Sequence, residues 1–156
     1  MEEIRNQYQL TLMLIVYTNQ NMIVIEKTTS ENNLSMMRKG SVLTDYIHFF
    51  WGLFYIKSAI PSTKENLLTI SKNNPQYDIR PDSKLYEDYL NQMESDFITD
   101  YGNIIPHAVR FAVPIHDKNN QLIGALAAGS FNHYLNDTSY ETIRHLLIDA
   151  SKAIVQ

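Results

Sequence analysis

Two apolar stretches near the C-terminal end, Ala108 to His116 (AVRFAVPIH) and Leu122 to Phe131 (LIGALAAGSF), constrain this chain most. Both alternate in side-chain size, and only the polar run Asp117-Lys118-Asn119-Asn120-Gln121 separates them, so they predict two strands joined as a hairpin. Strand alternation places Val109, Phe111, Val113 and Ile115 on one face and Ala108, Arg110, Ala112 and Pro114 on the other. In the partner, Ala125, Ala127 and Gly129 form a small-residue row, with Leu122, Leu126 and Ala128 opposite. Two bare rows on paired strands either let a helix pack very close to the sheet or leave a hollow for a small ligand. Arg110 sharpens that choice. A guanidinium in the middle of an apolar strand needs a partner, either a ligand carboxylate that fits its planar fork or an internal carboxylate such as Asp100.

The rest of the chain predicts what covers this sheet. Leu10 to Tyr17 and Met22 to Thr28 read as a second hairpin across Thr18 to Asn21, with the near-continuous apolar run of the first marking a central strand. Leu34 to Arg38 is expected as a short third strand before Gly40 and another strand near Phe97 to Tyr101. Thr44 to Lys57, apolar nearly all round, predicts a helix buried between layers, with Gly52 allowing another backbone close. A second helix is expected from Pro61 with Ser62 and Glu65 as its capping box, ending at Asn73-Asn74-Pro75. A third is expected from Pro81-Asp82, with Leu85, Tyr89, Leu90 and Met93 on one face. A terminal helix is expected to be capped by Thr138 and Glu141, with an apolar stripe of Ile143, Leu146, Leu147, Ala150 and Ile154. Strand runs kept apart from helical runs give an α+β class with a mainly antiparallel sheet of about five to six strands and helices on both faces.

Composition removes several functions. A chain of 156 residues with 44% hydrophobic content suits one domain, expected to span 1–156. Thirteen Lys+Arg against 17 Asp+Glu give a net charge of −4, with no basic cluster to attract phosphate backbones, so direct contact with nucleic acid is not expected. The absence of cysteine removes disulfides, thiolate metal sites and a cysteine nucleophile. Tyr46 to Ile56, the most apolar stretch, is roughly half the ~20 residues a membrane-spanning helix needs. The acidic start MEEIRNQYQL does not look like a secretory signal, so a cytoplasmic protein without membrane contact is expected.

The segment Phe97 to Phe131 resembles the C-terminal effector-binding domain of the IclR family of bacterial transcription regulators. That family's pattern runs G-Y-A-x-D, then I-A-A-P-V-x-D, then A-L-S-x-S-G-P. Phe97 and Asp100 match the first part, and Phe111-Ala112-Val113-Pro114-Ile115 with Asp117 match the second. Upstream, Arg38-Lys39-Gly40-Ser41-Val42-Leu43 is similar to the family's R-x-G-S-x-L turn. The resemblance covers most of the chain and implies a GAF-like fold, a curved antiparallel sheet with helices on both sides. It also implies a small-molecule effector and self-association as a homodimer or homotetramer. DNA would be met only through a helix-turn-helix domain, which is expected to lie outside these residues. The ligand contacts it implies fall on Gly40, Ser41, Asp100, Arg110, Ala127 and Gly129, with Tyr46 the one aromatic expected near the pocket. Ala127 and Gly129 replace two family serines, and Arg110 stands where the family often has cysteine. Losing neutral donors while gaining a cation favours an acidic ligand.

Other chemistries have weaker support. His107, His116 and His133 show no metal-ligand spacing, and Ser130, His133 and Asp137 have the residue types of a hydrolytic triad without a nucleophile elbow. No catalytic residue, cofactor or metal is expected. The alternative to an effector-binding domain is a ligandless dimerisation module whose pocket is closed by Arg110 and Asp100.

Overall fold

In the computed structural model, residues 2–19, 21–32, 37–73, 91, 96–102 and 105–155 are described. Chain order gives α1 (Glu2–Gln7), β1 (Thr11–Tyr17), β2 (Met22–Thr29), β3 (Val42–Leu43), a 3-10 turn (Phe50–Gly52), α2 (Leu53–Ser58) and α3 (Pro61–Lys72). Then come β4 (Ile98–Tyr101), β5 (Ala108–His116), β6 (Leu122–Phe131), a second 3-10 turn (Asn132–Tyr134) and α4 (Asp137–Ala153). The strands form one six-stranded sheet in the order β3-β2-β1-β6-β5-β4, every neighbouring pair antiparallel. The α+β class read from the sequence is therefore the class observed.

Both hairpins form. Across the second, Asp117 accepts through Oδ1 from the backbone N–H groups of Asn119 (2.8 Å) and Gln121 (2.9 Å). Asn120 takes the left-handed φ of +60°, which asparagine tolerates well. The central β1 is buried on both sides: Met13 and Ile15 face one core cluster, Leu12 the other.

The alternation read from β5 holds. Val109, Phe111, Val113 and Ile115 pack with Leu126, Ala128 and α4's Ile143 and Leu147. Ala112, Ala125 and Ala127 face the opposite cluster, with Tyr46, Phe50, Trp51 and Phe54. Leu122 departs from expectation and packs with this second group. A register shift opposite Ile115/His116 leaves Ile123 without a partner on β5, and one extra residue flips every side chain beyond it to the other face.

Local corrections concern helix starts and one strand. The strand expected at 34–38 falls partly on residues outside the described ones, and Met37 and Arg38 are not in a strand; pairing with β2 occurs at Val42–Leu43. The helix expected from Thr44 begins only at Leu53, after turns and a 3-10 turn. Asp45 is the cause: its Oδ1 accepts from Ile47 N (3.0 Å), His48 N (2.9 Å) and Ser71 Oγ (2.5 Å), a local alternative to the helix ladder. α3 has Ile60 at its cap with no side-chain bond, because Pro61 occupies the first helical position and pushes Ser62 inside the first turn. The helix expected from Pro81 lies outside the described residues.

α4 is capped one turn-start earlier than expected. Asn136, a stronger cap residue than Thr138, accepts from Ser139 N (3.0 Å), and Ser139 Oγ accepts from Asn136 N (3.1 Å). Within the stripe, Ile143 and Leu147 are buried whereas Ile154, past the helix end, is exposed. Asn136→Ala is expected to cost about 1 kcal/mol in a urea titration, whereas Thr138→Ala should cost clearly less.

Candidate functional site

The site is built from ladder register. Asp100 on β4, Arg110 on β5, Gly129 on β6 and Thr11 on β1 lie directly opposite one another, forming one row across four strands. The next row on the same face is Ile98, Ala112, Ala127 and Met13. Alternation sends both rows toward the segment 44–58, where Tyr46, Phe50, Trp51 and Phe54 are buried. Thus the bare rows and the aromatic run, far apart in sequence, face each other.

The structure gives Arg110 an internal partner. Its Nε and Nη2 donate to Asp100 Oδ2 at 2.9 and 2.7 Å. Asp100 is 0% exposed and Arg110 8%, so the pair is shielded from water and its charges largely cancel. The guanidinium also lies over the Phe50 ring, its Cζ 4.7 Å from the centroid, which fixes the fork on a second side. This arrangement holds a cation in an apolar layer.

Ring chemistry completes the wall. Tyr46 lies 5.1 Å from Tyr55, centroid to centroid, and Tyr17 donates to the Trp51 carbonyl at 2.5 Å. Burial, with Tyr55 nearby, pushes the Tyr46 hydroxyl up to about 12, and burial next to Tyr46 pushes that of Tyr17 well above its ordinary range. Both phenols stay neutral donors at neutral pH.

His48 sits at the margin of this layer. Burial holds its imidazole below the usual histidine range; Asp45 pulls it back up and Arg110 pushes it further down. The fold therefore favours the neutral ring, while the unfolded chain binds a proton below about pH 6.5. Stability from this group is complete above that pH and is lost as pH falls through the lowered value. Urea midpoints taken from pH 7 downward should fall more steeply for the wild type than for His48→Gln; parallel curves would remove His48 as the cause.

The structure brings together Asp100, Arg110, Ala127 and Gly129, with Tyr46 in the facing layer. Gly40 and Ser41 are elsewhere. Gly40 N donates to Val24 O (2.7 Å), Val24 N donates to Ser41 O (3.0 Å), and Ser41 Oγ accepts from Arg38 N (3.1 Å). This turn, with Gly40 at φ +87°, runs along the outer side of β2, in line with β3. Four strand spacings, roughly 19 Å along the sheet, separate it from β5. Residues that sequence reasoning did not single out are Thr11, Phe50 as the platform for Arg110, and Asp45.

Among the described residues, no group of three or more His, Asp and Glu is placed to hold a metal. Ser130 Oγ donates to Tyr8 O (2.8 Å), and His133 packs against Phe131 and Tyr134, so these residues make no serine–histidine couple.

No family model matches the chain, and no curated protein matches it. Solved structures do. The chain is similar to the Thermotoga maritima IclR at TM-score 0.76 and 16% identity, over 99% of this chain and 63% of that one. It is similar to an IclR homologue from Microbacterium hydrocarbonoxydans, complexed with 4-hydroxybenzoate, at TM-score 0.75 and 21% identity, over 99% and 63%. It is also similar to the inducer-binding domain of the PobR transcription factor from Acinetobacter, a double mutant in complex with 3-hydroxybenzoic acid, at TM-score 0.73 and 14% identity, over 99% and 92%. The chain spans about three fifths of the first two and nearly all of the third. These likenesses establish the fold as the one these regulators use.

Proposed function

We propose that this chain is a cytoplasmic small-molecule sensor, the effector-binding and self-associating domain of an IclR-type transcription regulator, spanning 1–156 as one domain. The observation that carries the reading is the juxtaposition of Ala112, Ala127 and Gly129 with a buried aromatic layer, next to an arginine held on the same face. Small side chains opposite large flat ones, with a few placed polar groups, are what a site for a small organic acid needs. The 4-hydroxybenzoate and 3-hydroxybenzoic acid in two similar structures support an acidic effector. In this reading Arg110 meets the carboxylate, Asp100 keeps the guanidinium oriented, and Tyr46 walls the pocket. Gly40 and Ser41 set the start of the covering segment. Contact with DNA would be made by a helix-turn-helix domain, and binding would act by differential affinity for two arrangements of the regulator.

The test is a thermal-shift screen of small carboxylic acids against the wild type and the double variant Arg110→Met/Asp100→Leu, which replaces the pair by apolar side chains without leaving a charge unpaired. Acids should raise the wild-type midpoint and leave the variant's unchanged. Equal responses would remove the pair from the site.

A second reading is favoured by one observation. Because the Arg110–Asp100 pair is internally satisfied, the domain also suits a role as a ligandless dimerisation module. That reading expects a homodimer or homotetramer in sedimentation at micromolar concentration and no response to any acid.

A further inference from the structure

Among the described residues, the buried polar atoms without a hydrogen-bond partner include Thr11 Oγ1, Ser30 Oγ and Trp51 Nε1. Polar groups withdrawn from water ordinarily find one, so each asks what it is for. Ser30 pairs with Leu10, whose side chain belongs to the core beneath α4. The Trp51 carbonyl lies at Tyr17, the far end of β1 from Thr11. Thr11 alone falls in the row of Asp100, Arg110 and Gly129, on the face shared with Met13 and Ile15. It is 5% exposed.

Gly129 separates Thr11 from Arg110 across the ladder. Among the described residues, the one heavy atom within 4 Å of where Gly129 would carry a Cβ is the Val109 carbonyl oxygen, 3.9 Å away. On the far side, Asp100 engages Nε and Nη2 of Arg110, and Nη1 makes no hydrogen bond to a described residue.

We infer that Thr11 is a specificity-determining residue of the effector site, reading a second oxygen of a small carboxylic acid whose carboxylate lies at the Arg110 end. This deepens the sensor reading and rests on it. The acid spans the row: its carboxylate meets the free edge of the guanidinium, and its hydroxyl or carbonyl oxygen lies over Gly129 and hydrogen-bonds with Thr11 Oγ1. Ala127 and Gly129 supply no side-chain donors of their own, so the hydroxyl next to Gly129 in this row is that of Thr11 on β1, with Thr29 of β2 one strand further from Arg110. A site built around an oxygen discriminates against an analogue lacking it, because the protein's polar group is then left unpaired.

The experiment is a calorimetric titration of the full chain with benzoate, 3-hydroxybenzoate and 4-hydroxybenzoate. The variants are Thr11→Val, which keeps shape and branching without the hydroxyl, Thr11→Ser, which keeps the hydroxyl, and Ser30→Ala, which removes an unpartnered hydroxyl outside the row. The wild type is expected to bind at least one hydroxybenzoate roughly tenfold more tightly than benzoate. Thr11→Val should erase that preference while binding benzoate as the wild type does; Thr11→Ser and Ser30→Ala should keep it. Without ligand, the unfolding midpoint of Thr11→Val should match or exceed that of the wild type, which a structural role for the hydroxyl would not produce. A preference that survives in Thr11→Val, or equal weakening of all three acids with a lowered midpoint, overturns the inference and leaves the sensor reading standing. No binding of any of the acids by the wild type overturns both.

Discussion

Asp100→Ala is expected to lower the stability of the fold by about 3–5 kcal/mol, the usual cost of leaving one partner of a buried ion pair uncompensated. Arg110 keeps its place on β5 between Asp100 and Gly129 in the ladder, so its charge has no easy route to water once the carboxylate is gone. The Phe50 face offers some attraction, but a ring quadrupole at 4.7 Å does not replace a carboxylate with two hydrogen bonds. Replacing both residues by Met and Leu should recover most of the loss, because the cost lies in the unpaired charge and not in the absence of the pair. Urea unfolding of Arg110→Met, Asp100→Leu and the double variant measures this as a cycle. Additive losses would mean the two side chains do not depend on each other.

The second large effect is expected at Gly52. Backbone conformation alone does not oppose alanine there, since φ −65° and ψ −16° are helical. Packing says the opposite. A Cβ at Gly52 would meet the backbone of Tyr46, its carbonyl oxygen first, then Cα at 2.6 Å and the carbonyl carbon at 2.9 Å. Backbone does not swing aside as a flexible side chain does, and Tyr46 is pinned by Asp45 through its bonds to Ile47 and His48. Gly52→Ala should therefore destabilise by about 3 kcal/mol and loosen the layer opposite Ala127, so effector affinity should fall with it. A neutral or stabilising outcome would show that the turn at Tyr46 yields.

Much of this was legible in the sequence for reasons that differ by element. The two C-terminal strands declared their faces because strand periodicity is two and large Phe111 alternates with small Ala112 along β5. Leu122 was misplaced because a single extra residue in a ladder leaves no mark on composition. The 44–57 segment was read correctly as buried and incorrectly as one helix, since burial follows from apolarity but the break follows from one carboxylate, Asp45, bonding its own neighbours and Ser71. Arg110 and Asp100 were singled out from sequence, yet only the β4–β5 register shows them directly opposite. Thr11 carried a signal that passed unread: it is the polar exception in the run LTLMLIVY, and its significance emerges only beside Gly129 on β6.

A sensor role requires a small acid at the face between the sheet and the 44–58 segment. The direct measurement is amide chemical-shift mapping of the labelled protein during titration with 4-hydroxybenzoate. The largest changes are expected at Thr11, Arg110, Ala112, Ala127 and Gly129, with little at residues of α4 such as Arg144 and Ile148. Shifts confined to α4, or none at saturating acid, would contradict it.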